Sequence, residues 1–138
     1  MSFLLDANVL LYALNTDVPQ HVVFRAWLRQ ALASGQMVYT TVVNEVALVR
    51  IATGPMRLQR HDAFQFLRDM HGLGNYARLE LEQGNLQLWY QLTEDLGLSG
   101  NDVNDAYLAA LALTHDLTLV TADRGFTRFP GLRVLTPS

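Results

Sequence analysis

The stretch Ser99-Gly100-Asn101-Asp102-Val103-Asn104-Asp105 sets two carboxylates directly in front of Ala106-Tyr107-Leu108-Ala109-Ala110-Leu111-Ala112-Leu113. The second segment is apolar on every side, the mark of a buried helix. Ser99 and Asp102 have capping-box spacing, which gives Asp102 a structural reading as an acid returning a hydrogen bond to the cap. Asp105 has no such explanation. With the cap at Ser99 or Asn101 it lies beyond the first turn, where neither unpaired backbone donors nor the helix dipole favours a negative charge strongly. It shares a helical face with Asp102 and points at whatever lies before the core helix.

Three more acids stand at element boundaries. Asp6 closes the apolar run Phe3-Leu4-Leu5, and Asp123 comes three residues after the run Thr118-Leu119-Val120. Glu45 sits early in a helical segment, on the stripe marked by Val42, Val46 and Val49, where a carboxylate either snorkels to water at the stripe's edge or has work to do. Asn8 and Thr121 flank Asp6 and Asp123 at two-residue spacing, as turn residues or as supporting hydrogen-bond groups.

The elements that must position these acids alternate. Strands are expected at Phe3–Leu5, Met37–Tyr39, Arg78–Leu81, Thr118–Val120 and Arg133–Leu135. Helices are expected over Val9–Leu14, over His21–Leu32 with Val23, Trp27 and Ala31 inward, and over Val42–Ala52 after a Thr40-Thr41 cap. Further helices start from an Asp62 cap with Ala63, Phe66, Leu67 and Met70 inward, run over Asn85–Leu96 with Gly97 as the stop, and include the central apolar segment. Strand–helix alternation predicts an α/β three-layer sandwich: a parallel sheet of about five short strands with helices on both faces, in one domain over residues 1–138. Ligand crevices in such sheets lie beyond the carboxyl ends of the strands, near the point where strand order reverses. Asp6, Glu45 and Asp123 all start at that edge. Asp105 joins them only if its helix crosses over the edge with its first turns.

Composition narrows the chemistry. The chain has 138 residues, half of them hydrophobic, and no cysteine, which removes disulfides, thiolate nucleophiles and cysteine-ligated metals. Asp6 interrupts the N-terminal apolar run too early for a signal peptide, and no run is long enough to span a membrane, so a cytoplasmic location is expected. The net charge of −3 argues against a uniformly basic nucleic-acid face, although all ten basic residues are arginine, the better bidentate phosphate ligand. Two carboxylates ~4 Å apart repel by roughly 4 kcal/mol at an effective dielectric near 20. Several in one cleft must therefore share protons or bind a divalent cation. Oxygen donors without histidine or cysteine suit Mg2+ or Mn2+, and His21, His61, His71 and His115 show no zinc spacing. Such an ion activates water for in-line attack on a phosphodiester.

Taken together, Asp6-Ala7-Asn8 after an N-terminal strand, Glu45 early in a helix, Asp105-Ala106 opening an alanine-rich helix, and Thr121-Ala122-Asp123 followed by Phe126 resemble the PIN-domain ribonucleases, specifically the VapC toxins of bacterial toxin–antitoxin pairs. The resemblance covers nearly the whole chain. It implies a metal-dependent endoribonuclease with Asp6, Glu45, Asp105 and Asp123 as its acidic quartet and Asp6 and Asp105 as the principal Mg2+ ligands. It further implies that the helix bearing the third acid reaches the cleft, and it implies a homodimer, a cognate antitoxin docking over the cleft, and structured RNA such as tRNA as substrate. Two departures stand out. Ala7 replaces a serine or threonine frequent in the family, and Asp102 adds an acid that either joins the metal or caps its helix. Arg124 and Arg128, on either side of Phe126, are read as phosphate contacts or as surface charges.

Two rival readings remain. A phosphoacceptor or aspartyl phosphatase also keeps magnesium at a sheet edge, but it needs a lysine, which this chain lacks, and an Asp-x-Asp pair, which Asn8 breaks. A catalytically silent module gripping RNA or protein would keep the fold, but would have no use for all four acids.

Overall fold

A computed structural model describes residues 1–138. The five strands are β1 (Phe3–Leu5), β2 (Val38–Thr40), β3 (Tyr76–Arg78), β4 (Thr118–Val120) and β5 (Arg133–Leu135). They form one sheet in the order β3-β2-β1-β4-β5, every pairing parallel. Six α-helices join them: α1 (Ala7–Leu14), α2 (His21–Ala33), α3 (Val42–Thr53), α4 (Arg60–His71), α5 (Leu86–Asp95) and α6 (Asn101–His115). A parallel sheet buried on both faces needs apolar side chains pointing both ways, and β1, with three consecutive buried residues, supplies them from the centre.

Alternation along the strands separates two cores. Phe3, Leu5, Val38 and Val120 pack with α1, α2, α3 and α4 through Val9, Leu10, Phe24, Leu28, Leu48 and Leu67. Leu4 and Leu119 face the other way, onto Ala106, Leu108, Ala109, Leu111 and Ala112 of α6, with Phe126 and Phe129 closing that side. The three-layer α/β sandwich expected from the sequence is therefore the observed architecture, and α6 is the buried helix its composition demands.

Several elements depart from expectation. Strand β3 begins at Tyr76, which is buried and pairs with Val38, so only Arg78 is shared with the expected Arg78–Leu81 strand. Helix α4 starts earlier than Asp62, with Gln59 in the capping position. The capping box before α6 does not form: Gly100 precedes the helix at φ 60° and ψ −134°, a conformation reserved for glycine, and no side chain caps it. In α2 the inward residues are Phe24, Leu28 and Ala31, while Val22 and Val23 are exposed. In α3 they are Asn44, Glu45, Leu48 and Ala52, and Val42 and Val46 face outward. Of the expected valine stripe only Val49 packs against the core.

Because Leu108 is completely buried between α6 and the sheet, Leu108→Ala is expected to lower stability by about 2–5 kcal/mol in chemical denaturation. A loss under about 1 kcal/mol would show that α6 is not a core helix.

Candidate active site

The strand order reverses beside β1: the chain moves outward to β2 and β3, then crosses back to lay β4 on the other side. The crevice beyond the β1 and β4 carboxyl ends is where a ligand site is expected. Asp6 leaves β1 there as the N-cap of α1, its Oδ1 accepting from the Ala7 amide at 2.7 Å. Its Oδ2 accepts from the Thr121 hydroxyl at 2.8 Å and from Asn8 Nδ2 at 3.3 Å. Asn8 Oδ1 in turn accepts from the Ala122 amide at 3.1 Å, and Thr121 Oγ1 accepts from the Asp123 amide at 3.0 Å. Asn8 and Thr121 therefore stitch the ends of β1 and β4 together and fix Oδ2 of Asp6, while the Ala7 amide fixes Oδ1. With Ala7 lacking a hydroxyl, the one that reaches Asp6 comes from Thr121.

Asp105 reaches the same crevice from α6. Burial pushes its carboxyl up to about 6, opposed by a hydrogen bond from Arg128 and reinforced by the charges of Asp6 and Asp123. Burial likewise raises Asp6, its hydrogen bonds from Thr121 and Ala7 oppose the shift, and the Asp123 charge adds to it. The three aspartates thus feel one another electrostatically. Asp123 itself is exposed and caps a following 3-10 turn through the Gly125 amide at 2.8 Å. From that turn Arg128 extends back, its Nη2 3.2 Å from Asp105 Oδ2 and 3.4 Å from Asp102 Oδ1. Asp102 accordingly acts as a partner of Arg128 and caps nothing. Arg124 is exposed beside Asp123.

Glu45 is held differently. It lies almost wholly inside, 5 % exposed, and is enclosed by three side chains. His71 Nε2 is 2.6 Å from Oε2, the Tyr76 hydroxyl donates to the same oxygen at 3.3 Å, and Arg78 Nε donates to Oε1. Asp6, Asp105 and Asp123 act on one another's charge, whereas Glu45 is tied to α4 and β3 by His71, Tyr76 and Arg78. His71, Tyr76 and Arg78 were not singled out from the sequence. The signal available was a buried acid, which requires charged or hydrogen-bonding partners. The neighbouring Asn44 anchors this turn of α3 by donating to the Leu5 carbonyl at 2.8 Å.

As placed, no three acidic or histidine side chains form a closed cation cage. The donor chemistry nevertheless fits a hard divalent ion. Three carboxylates meet at a sheet edge, and the hydrogen bonds to Asp105 and Asp123 each engage one oxygen and leave the other available.

The chain matches the PIN-domain family model over residues 3–132 and belongs to that family. Within it, its relatives are VapC proteins. It is 34% identical to ribonuclease VapC37 of Mycobacterium tuberculosis, covering 94% of this chain and 93% of that one, and 32% identical to ribonuclease VapC31 of the same organism, covering 98% of each. Its fold is shared with the VapBC2 complex of Rickettsia felis bound to a promoter DNA fragment, at a TM-score of 0.73 and 20% identity over 100% of both chains. VapBC-1 of nontypeable Haemophilus influenzae aligns at 0.68 and 17% identity over 99% of this chain and 98% of that one.

Asp105 titrates near 6 when folded, against 3.8 as its ordinary value, so the native state binds more protons than the unfolded chain between those values, and stability falls as pH rises through the window. Asp105→Asn should flatten that decline and leave the protein up to about 2 kcal/mol more stable at pH 7. An unchanged pH profile would contradict it. Glu45→Gln leaves His71 and Arg78 without their anion, and a loss of about 2 kcal/mol is expected, moderated by the exposure of Arg78. Unchanged stability would show that the cage does not support the fold.

Proposed function

We propose that this chain is a divalent-metal-dependent endoribonuclease, the toxin of a toxin–antitoxin pair, hydrolysing phosphodiester bonds in structured RNA such as tRNA. The observation that carries the reading is the meeting of Asp6, Asp105 and Asp123, from three separate elements, at the crevice beside β1 where the charges oppose one another. The relatives named as ribonucleases cover nearly the whole chain.

In this reading Asp6 and Asp105 are the main ligands of a Mg2+ or Mn2+ ion, with Asp123 completing the set. When bound, such an ion would polarise the scissile phosphoryl group and lower the pKa of the attacking water. The protein's own contribution is rigidity and orientation. Thr121 and Asn8 hold Asp6 at fixed geometry, and α6 presents Asp105 from a turn anchored in the core. We assign Arg124 to the RNA backbone, since it is exposed beside Asp123 and a guanidinium suits phosphate. Glu45 enters as a positioning residue that fixes the first turn of α3 beside the crevice.

The partners we assign are a cognate antitoxin and a second copy of the chain. Between α3 and α4 runs a groove of about 870 Å3 lined by Val42, Val46, Val49, Phe64 and Leu67, with Val42, Val46 and Phe64 exposed. The same lining carries Glu45, Arg50, Arg68, His71 and Arg78, and a surface that mixes apolar and charged side chains suits a protein partner. Two of the solved structures with this fold are described as belonging to toxin–antitoxin systems. No helix is long and apolar enough to cross a membrane, and we assign the protein to the cytoplasm.

The test is cleavage of total RNA by purified protein with Mg2+ or Mn2+ and with chelator. Cleavage only with metal is expected, together with a fall on the order of 100-fold in Asp6→Asn. Equal cleavage in both tubes would overturn the metal requirement. Cleavage in neither would leave a silent binding module.

A further inference from the structure

Arg128 has a seat of its own. Its guanidinium lies 4.8 Å from the centre of the Phe129 ring, its Nη1 donates to the Gly125 carbonyl at 2.7 Å, and its Nε is buried without a partner. Residue 125 leaves room for it: a Cβ there would come within 2.7 Å of Nη1. The ring and the carbonyl hold the cation in place independently of any carboxylate. From this seat Nη2 reaches both Asp105 and Asp102. Asp105 lies 19% exposed and Asp102 57%, so the same nitrogen spans an inner acid facing the crevice and an outer acid facing solvent.

We propose that Arg128 is a resident cation of the acidic centre, competing with a divalent ion for Asp105 and thereby setting a weak affinity for that ion. The inference rests on the nuclease reading for the ion's identity, and concerns Arg128 alone. When an ion takes Asp105, the guanidinium keeps Phe129, Gly125 and Asp102, so it yields one contact without leaving its seat. Asp102 thus has a function that neither a helix cap nor a metal ligand would give it: it retains the displaced arginine. A positive charge held within contact distance of a ligand carboxylate opposes a second positive charge there, whatever the ion. A group that merely positions Asp105 would have the opposite effect, because removing it would loosen the ligand and weaken binding.

The sign of the change in Mn2+ affinity therefore separates the two roles. Titrating the purified, metal-stripped protein with Mn2+ alone, followed by the electron paramagnetic resonance signal of free Mn2+, should show binding that Asp105→Asn abolishes. Arg128→Gln should bind Mn2+ on the order of ten-fold more tightly than the unaltered protein, and Arg128→Lys, which keeps the charge, should stay within about three-fold of it. A thermal melt of each variant establishes that it is folded, and Arg128→Met serves as the uncharged variant should the glutamine not fold. Unchanged or weaker Mn2+ binding in a folded, uncharged variant overturns the proposal. Failure of the unaltered protein to bind Mn2+ at all overturns the metal-dependent nuclease reading, and the proposal with it.

Discussion

The repulsion among Asp6, Asp105 and Asp123 is the constraint around which the rest of this molecule is arranged. Carboxylates partly withdrawn from water would separate if their backbones allowed it, and burial already raises two of them. The fold denies them that freedom. Asp6 is fixed by being the last residue before a helix and by Thr121 and Asn8 across the β1–β4 junction. Asp105 is fixed because the apolar residues after it cannot leave the core. The stability invested in α6 and the central strand holds charges together in an arrangement that water alone would disperse.

The surroundings divide the negative charge into two compartments. Arg128 spans Asp102 and Asp105 on the α6 side, whereas His71, Tyr76 and Arg78 enclose Glu45 on the β3 side. The β3-side compartment is structural chemistry, a buried acid with its hydrogen bonds satisfied. The compartment beside β1 is only partly satisfied, which is the condition under which a cation finds ligands. The VapC relatives and the matching family model place the chain within the PIN-domain family.

Much of this was legible in the residues. Parallel strands buried on both faces read as short apolar runs, and acids just past two such runs had to share one sheet edge. The helix beginning near Asp105 betrayed itself by being apolar all round. What the sequence concealed came from polar residues turned inward. Asn44 lies on the core side of α3 because the Leu5 carbonyl receives it, a position hydropathy reads as surface, and Glu45 beside it is received by the His71–Arg78 cage. The stripe marked by Val42 and Val46 therefore faces out at those residues, and Val23 in α2, expected inward, is likewise exposed. The capping box failed for another reason: Gly100 takes a conformation no other residue adopts easily, so Ser99 never reaches the capping position.

The most direct measurement is anomalous diffraction from a crystal grown with Mn2+. A difference peak bounded by the carboxylates of Asp6, Asp105 and Asp123, with Glu45 still held by His71 and Arg78, is the result expected. Carboxylates splayed around no peak, or a peak seated at Glu45 instead, would contradict it.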